Sequence, residues 1–220
     1  MNQRMKKIKV ATMFMTLLAV ISLTACKETV EFDAKRYVQG CLDSSTKEKY
    51  DDFVAMTNMK KEDAQMLYDE RILKAVEIVG ANKFGEELEK QYIEMYKSLF
   101  ANHKYEVGEA VKNEDGSYTV PVTTYSLKVF EGTMESAKTE LSTWIDKKQE
   151  AGKELTDDEI TKKRLQITYD IIMKKLEKPE YGEAVKIDVA IVPKESESGT
   201  SYVMDANSFE EVLSSCVDAG

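Results

Sequence analysis

The chain has 220 residues, a formal net charge of −9 from 31 basic and 40 acidic residues, and a single histidine. That balance disfavours nucleic acid and gives no electrostatic attraction to an anionic bilayer. Three cysteines and one histidine, widely spread, make neither a Cys-x-x-Cys redox centre nor a recognisable zinc site.

The first 25 residues differ from the rest. Arg4, Lys6, Lys7 and Lys9 precede an uncharged stretch from Val10 to Leu23. A basic region followed by a short apolar one is the signal-peptide pattern, and it is too short for an ordinary membrane-spanning helix. Ordinary signal peptidase requires small side chains at −1 and −3. Cleavage before Cys26 places Ala25 at −1 but Leu23 at −3. Leu23-Thr24-Ala25-Cys26 instead resembles the lipobox of bacterial lipoproteins. The resemblance implies a diacylglyceryl group on the Cys26 thiol, Cys26 as the new N-terminus, and residence on the extracytoplasmic face of the cell membrane. One acyl chain holds a protein only marginally, so both chains are needed for stable anchoring. Losing the leader's four basic residues moves the net charge from −9 to −13. The chain then divides into a signal peptide, 1–25, a lipidated tether, 26–32, and a single domain, 33–220.

Lys27 to Phe32 contains no Gly/Ser-rich spacer, and six extended residues reach at most ~20 Å. The domain is therefore expected close to the membrane. Asp33 is a candidate N-cap for a helix to about Lys49, with Tyr37, Val38, Cys41 and Leu42 on one face. The spacing of Ala64, Leu67, Tyr68, Ile72, Ala75, Val76 and Val79 predicts a second helix over about 61–79, stopped by Gly80. Leu88, Tyr92, Met95, Tyr96 and Leu99 predict a third over about 84–101.

The period then falls from 3.6 to 2. Tyr105, Val107 and Val111 alternate with polar neighbours, as do Tyr118, Val120 and Val122, and Asn113-Glu114-Asp115-Gly116 between them is a hairpin turn signal. The apolar phase shifts after Thr124 to Tyr125, Leu127 and Val129, which predicts a bulge, and Pro121 suits an edge or bulge position. Met134, Ala137, Leu141, Trp144 and Ile145 have helical spacing, and Thr156 with Glu159 forms a capping box opening a helix over about 157–177. Together these make a helical hairpin. Val185, Ile187, Val189 and Ile191 alternate as a strand, Gly199 turns into a short strand over 200–204, and Ser208 with Glu211 suggests a second capping box before a last helix.

Three N-terminal helices packed on a curved antiparallel sheet, with a helical hairpin inserted between strands and a short C-terminal helix, is an α+β arrangement. The order is similar to the nuclear-transport-factor-2-like cone found in small Firmicutes-type lipoproteins. Phe32 to Asp43 (FDAKRYVQGCLD) resembles the opening of that group, and Lys104 to Ala110 (KYEVGEA) the start of its sheet. The resemblance implies a fold and a location, not an activity.

Cys41 and Cys216 both fall on apolar helix faces. A disulfide is permitted outside the cytoplasm, and two buried thiols are the alternative. The resemblance gives the bridge no support, since position 41 is where a larger apolar residue is expected. His103 is the only histidine, expected to face solvent at the start of a strand; no Gly-x-Ser-x-Gly motif accompanies it. Asn113, Asp115 and Gly116 mimic part of a calcium loop, but its first and twelfth positions are Val111 and Val122, which cannot coordinate. The paired acids Glu86-Glu87, Asp157-Asp158-Glu159 and Glu210-Glu211 stand in first helical turns, where the helix dipole favours them. Tyr37, Tyr68, Tyr92, Tyr96 and Trp144 are the candidate pocket, with core packing as the alternative. No catalytic residue, metal or cofactor is expected. The sequence thus reads as a lipid-anchored binding or interaction module taking an envelope protein or a small hydrophobic ligand. The alternative is a small envelope hydrolase or isomerase using cone-pocket carboxylates or His103.

Overall fold

The structure, a computed structural model, describes residues 21–22, 32–196 and 199–218. Helix α1, Ala34–Thr46, opens where expected: the Asp33 carboxylate accepts from the Arg36 backbone N–H at 2.9 Å. It stops short of Lys49, and Glu48 turns the chain in the left-handed region at φ 54°. A further helix, α2, Asp51–Thr57, follows. Only Phe53 of α2 is buried, so two turns carry no apolar stripe for the sequence to display. Among the described residues the N-terminal layer therefore holds four helices rather than three. The others are α3, Lys61–Val79, which ends at Gly80 in the left-handed region, and α4, Glu86–Ala101, with a 3-10 turn, Ala81–Phe84, between them.

The curled antiparallel sheet contains β1, Ile21–Ser22; β2, Lys104–Val107; β3, Val111–Lys112; β4, Tyr118–Leu127; β5, Tyr181–Ser196; and β6, Gly199–Met204. The order is β1-β6-β5-β4-β2, with β3 beside β2 on the same edge of β4. Val120 pairs with Val189 and Val122 with Ile187, so Tyr118, Val120, Val122 and Thr124 of β4 and Ile187, Val189 and Ile191 of β5 enter the core, while Val185, expected on the same face, is exposed. The register slips between Tyr125 and Leu127, which is the expected bulge.

Pro121 corrects its expected place. It lies inside β4, opposite Asp188, not at an edge. Its carbonyl accepts from the Gly108 N–H at 2.8 Å, and both backbone groups of a residue in an antiparallel strand point to one side. The proline's missing N–H thus falls in the gap between β2 and β3, where no ladder bond is lost. A Cβ on Gly108 would sit 2.9 Å from Pro121 Cγ, so glycine is what lets the chain cross here.

Helices α5, Thr133–Glu150, and α6, Asp157–Leu176, form the hairpin between β4 and β5, and the Thr156–Glu159 capping box is complete. Helix α6 lies on α4, where Tyr92 Oη donates to the Leu165 carbonyl at 2.9 Å. Helix α5 buries only Thr133 and Ala137. The last helix, α7, Ala206–Ser215, is capped by Asp205 rather than by a Ser208–Glu211 box. Asp205 still belongs to the sheet through its N–H to the Ala190 carbonyl, leaving its carboxylate to accept from Ser208 N–H at 2.8 Å. Ser208 is already in the first turn.

Tyr37, Val38 and Leu42 of α1 have no exposed surface. Gly40 lies on the same helix where α2 crosses, and a Cβ there would meet Phe53 N at 2.7 Å and Asp52 C at 2.9 Å. Backbone cannot yield as a flexible side chain does. Gly40→Ala is therefore expected to destabilise the fold by roughly 1–3 kcal/mol, read as a lower urea midpoint, whereas Ser136→Ala on the exposed face of α5 should leave it unchanged.

Candidate functional site

Leu23, Thr24, Ala25 and Cys26 lie outside the described residues. The chain joins the domain at Phe32. Its ring stacks on Tyr202 of β6 at 4.1 Å and meets Tyr37 and Tyr118 edge-on, each at 5.6 Å. Tyr118 and Tyr202 also touch edge-to-face at 5.5 Å. This four-ring cluster fixes Phe32 to the β6 side of the sheet. Sequence reasoning missed Phe32 and Tyr202 as partners because 170 positions separate them and neither belongs to a motif.

The structure brings Tyr37, Tyr68, Tyr92 and Tyr96 into one core and leaves Trp144 half-buried on the hairpin. Tyr68 packs against Phe100 at 6.5 Å, and Tyr92 against Tyr96 and Tyr169 at 6.4 and 6.3 Å. Burial raises all four hydroxyl pKa values, that of Tyr96 to about 12. Each of the four rings thus packs against an aromatic neighbour in the core, Tyr37 against Phe32.

Two clefts lie elsewhere. One, of about 580 Å³, sits at the tip of the hairpin between Ile145, Leu155 and Ile160, with Gln149, Lys153 and Glu154 around it. The other, of about 280 Å³, lies at the α1–α2 junction and includes Asp43, Glu48, Asp51 and Asp52. Its carboxylates already hold cations of the same chain: Asp52 with Arg36 at 2.7 Å, Asp51 with Lys61 at 3.4 Å, Asp43 with Lys47 at 3.7 Å and Glu48 with Lys97 at 3.9 Å. The acidic notch is neutralised from within.

Behind that notch is a polar cluster that the sequence did not display. Tyr105 Oη donates to Asp43 Oδ1 at 2.6 Å and lies 3.1 Å from Thr46 Oγ1, while Lys47 Nζ sits 4.0 Å from the centre of the Tyr105 ring. Asp43 and Lys47 at i and i+4 were the one legible sign of it. His103 corrects its expected place: it is 2% exposed, packed against Phe100, and neither ring nitrogen has a hydrogen-bond partner. Burial, with Lys47 of the α1 end and Arg71 of α3 facing it, lowers its pKa to about 3. A general base needs a partner that orients it and reach to a proton it can take. His103 has neither in this structure.

Cys41 and Cys216 are both buried free thiols. Cys41 hydrogen-bonds with Tyr37 one turn earlier in α1, and burial still raises its pKa; burial pushes that of Cys216 to about 12. The Cys216 carbonyl accepts from Leu127 N–H at 2.9 Å, tying the end of α7 to the bulge of β4.

No protein-family model matches the chain, and no curated protein matches it. Among solved structures, the chain is similar to a candidate lipoprotein, ycdA, from Bacillus subtilis strain 168, with 12% identity and a TM-score of 0.58. The match covers 84% of this chain and 56% of that one, so this chain spans little more than half the length of ycdA. At that identity the likeness is one of fold.

Two outcomes follow from the buried groups. His103 binds a proton more readily unfolded, near pH 6.5, than folded, near pH 3, so its contribution to stability is full above pH 6.5 and is lost as pH falls toward 3. Between pH 7 and pH 5 this costs about 2 kcal/mol. Urea titrations should show that extra loss in the wild type and not in His103→Leu, which also leaves no orphaned ring nitrogens. For the thiols, a maleimide should leave the native domain unlabelled and add to both Cys41 and Cys216 once urea unfolds the unreduced protein.

Proposed function

We propose that the chain is a lipid-anchored, non-enzymatic interaction module on the extracytoplasmic face of a bacterial cell membrane. The observation that carries this reading is Leu23-Thr24-Ala25-Cys26 at the end of the uncharged stretch Val10 to Leu23. Three structural features support it. The tether base is pinned by the Phe32–Tyr202 stack, so a domain held at Cys26 is held close. No helix among the described residues is long and apolar enough to cross a membrane. The likeness of fold to a candidate lipoprotein agrees with the same location.

The nuclear-transport-factor-2-like cone belongs to this reading as the scaffold. Of the two partner classes, the structure favours a protein over a small hydrophobic ligand. Tyr37, Tyr68 and Tyr92 are buried against Phe32, Phe100 and Tyr96, while the hairpin presents its tip, with Ile145, Leu155 and Ile160 around an open groove, to the surroundings.

Processing is the direct test. In a lipoprotein-competent bacterium, the wild-type chain should incorporate labelled palmitate and fractionate with membranes. Cys26→Ser should lose the label and either be released or remain as the uncleaved precursor. Normal maturation and membrane retention of Cys26→Ser, with no label on the wild type, would overturn the reading.

A further inference from the structure

The two edges of the sheet are unequally protected. On one side β2 and β3 are four and two residues long and carry Lys104, Glu106 and Lys112. Short, charged, interrupted strands are the usual defence against pairing with another chain. On the other side β6 reads Gly199-Thr200-Ser201-Tyr202-Val203-Met204, with no charge and no proline. Its middle is covered by β1, where Ile21 pairs with Tyr202 and Ser22 with Ser201. These two residues fall within the leader that lipoprotein processing removes.

The ladder shows which groups that removal uncovers. Asp205 N–H donates to the Ala190 carbonyl, and β5 pairs Val192 with Val203 and Lys194 with Ser201. Hydrogen-bonded pairs alternate along an antiparallel ladder. Val203 and Ser201 therefore bond to β5, and the backbone N–H and C=O of Thr200, Tyr202 and Met204 point away from it. Pro193, which has no N–H to give, sits opposite Tyr202, in agreement with that phase.

We propose that, once the leader is gone, two mature chains pair through β6, antiparallel and across a two-fold axis, joining their sheets into one. This rests on the lipoprotein reading, because cleavage takes β1 away from Tyr202 and Ser201 at the middle of the edge. Three observations select a second copy as the occupant. The tether ends at Phe32 on Tyr202, so β6 lies within about 20 Å of the membrane, in the layer where every other mature copy is held at high effective concentration. The strand is uncharged, so an identical strand approaches without like charges opposite each other. The edge already accepts a strand in the antiparallel sense, the sense a two-fold axis demands.

The test is sedimentation velocity on the mature polypeptide, Lys27 to Gly220, over a concentration series at physiological salt. This piece retains the whole core, which runs from Phe32 to Cys216. A concentration-dependent dimer is expected. Thr200→Pro removes an outward N–H from each copy and none of the β5 ladder, and should weaken the dimer about tenfold with an unchanged circular dichroism spectrum. Should that variant misfold, Thr200→Lys puts a charge on the otherwise uncharged edge of both copies, the usual block to strand pairing, and should give the same loss. A monomer at every concentration overturns the proposal, and so does a dimer that survives both substitutions. The assay needs no lipid, so it can fail while Cys26 is still processed, and palmitate labelling can fail while β6 still pairs.

Discussion

The fold depends on the burial of one face of α1 in the curve of the sheet. Tyr37, Val38 and Leu42 are wholly enclosed, and Cys41 nearly so. Each fully buried side chain of this size contributes roughly 1.5–3 kcal/mol relative to exposure, and four of them lie within six residues. The surrounding chain accommodates that insertion. Gly40 admits the α2 backbone, Asp33 caps the first turn, and Thr46 and Tyr105 close the far end on Asp43. Without α1 the part of β4 it covers would lose its partner, while α7 packs on β4 and β5 from the other end of the chain.

The same helix links location to architecture. Phe32 precedes α1 by one residue of cap and stacks on Tyr202, so whatever holds Cys26 pulls on the most enclosed element of the domain rather than on a loose end. The hairpin of α5 and α6 is the contrasting part. Helix α5 rests on α6 and buries little of its own surface, and Met134 is 69% exposed. The domain thus combines a closely packed body with a lightly packed arm.

Elements with strong local signals were legible in the sequence. Helix α3 occupies its expected range, the Thr156–Glu159 box opens α6, the phase change after Thr124 is a bulge, and Asn113 to Gly116 is a hairpin turn. What was not legible depends on tertiary packing. His103 stands between Asn102 and Lys104, a polar context that suggests exposure, yet Phe100, Lys47 and Arg71 close over it from three helices. Pro121 looked like an edge residue because the gap between β2 and β3 opposite it leaves no mark in the local pattern. Phe53 alone could not announce α2. The tyrosines were found as a set, but sequence spacing could not say whether they face a cavity or one another.

Hydrogen exchange on the mature chain tests the central claim most directly, since it reports how firmly each backbone segment is held. The amides of Tyr37 to Leu42 should exchange as slowly as those of Val120 and Val189 in the sheet centre, and far more slowly than those of α5. Exchange of the Tyr37 to Leu42 segment at the rate of α5 would contradict the account, because α1 would then be an appendage and not the element around which the sheet closes.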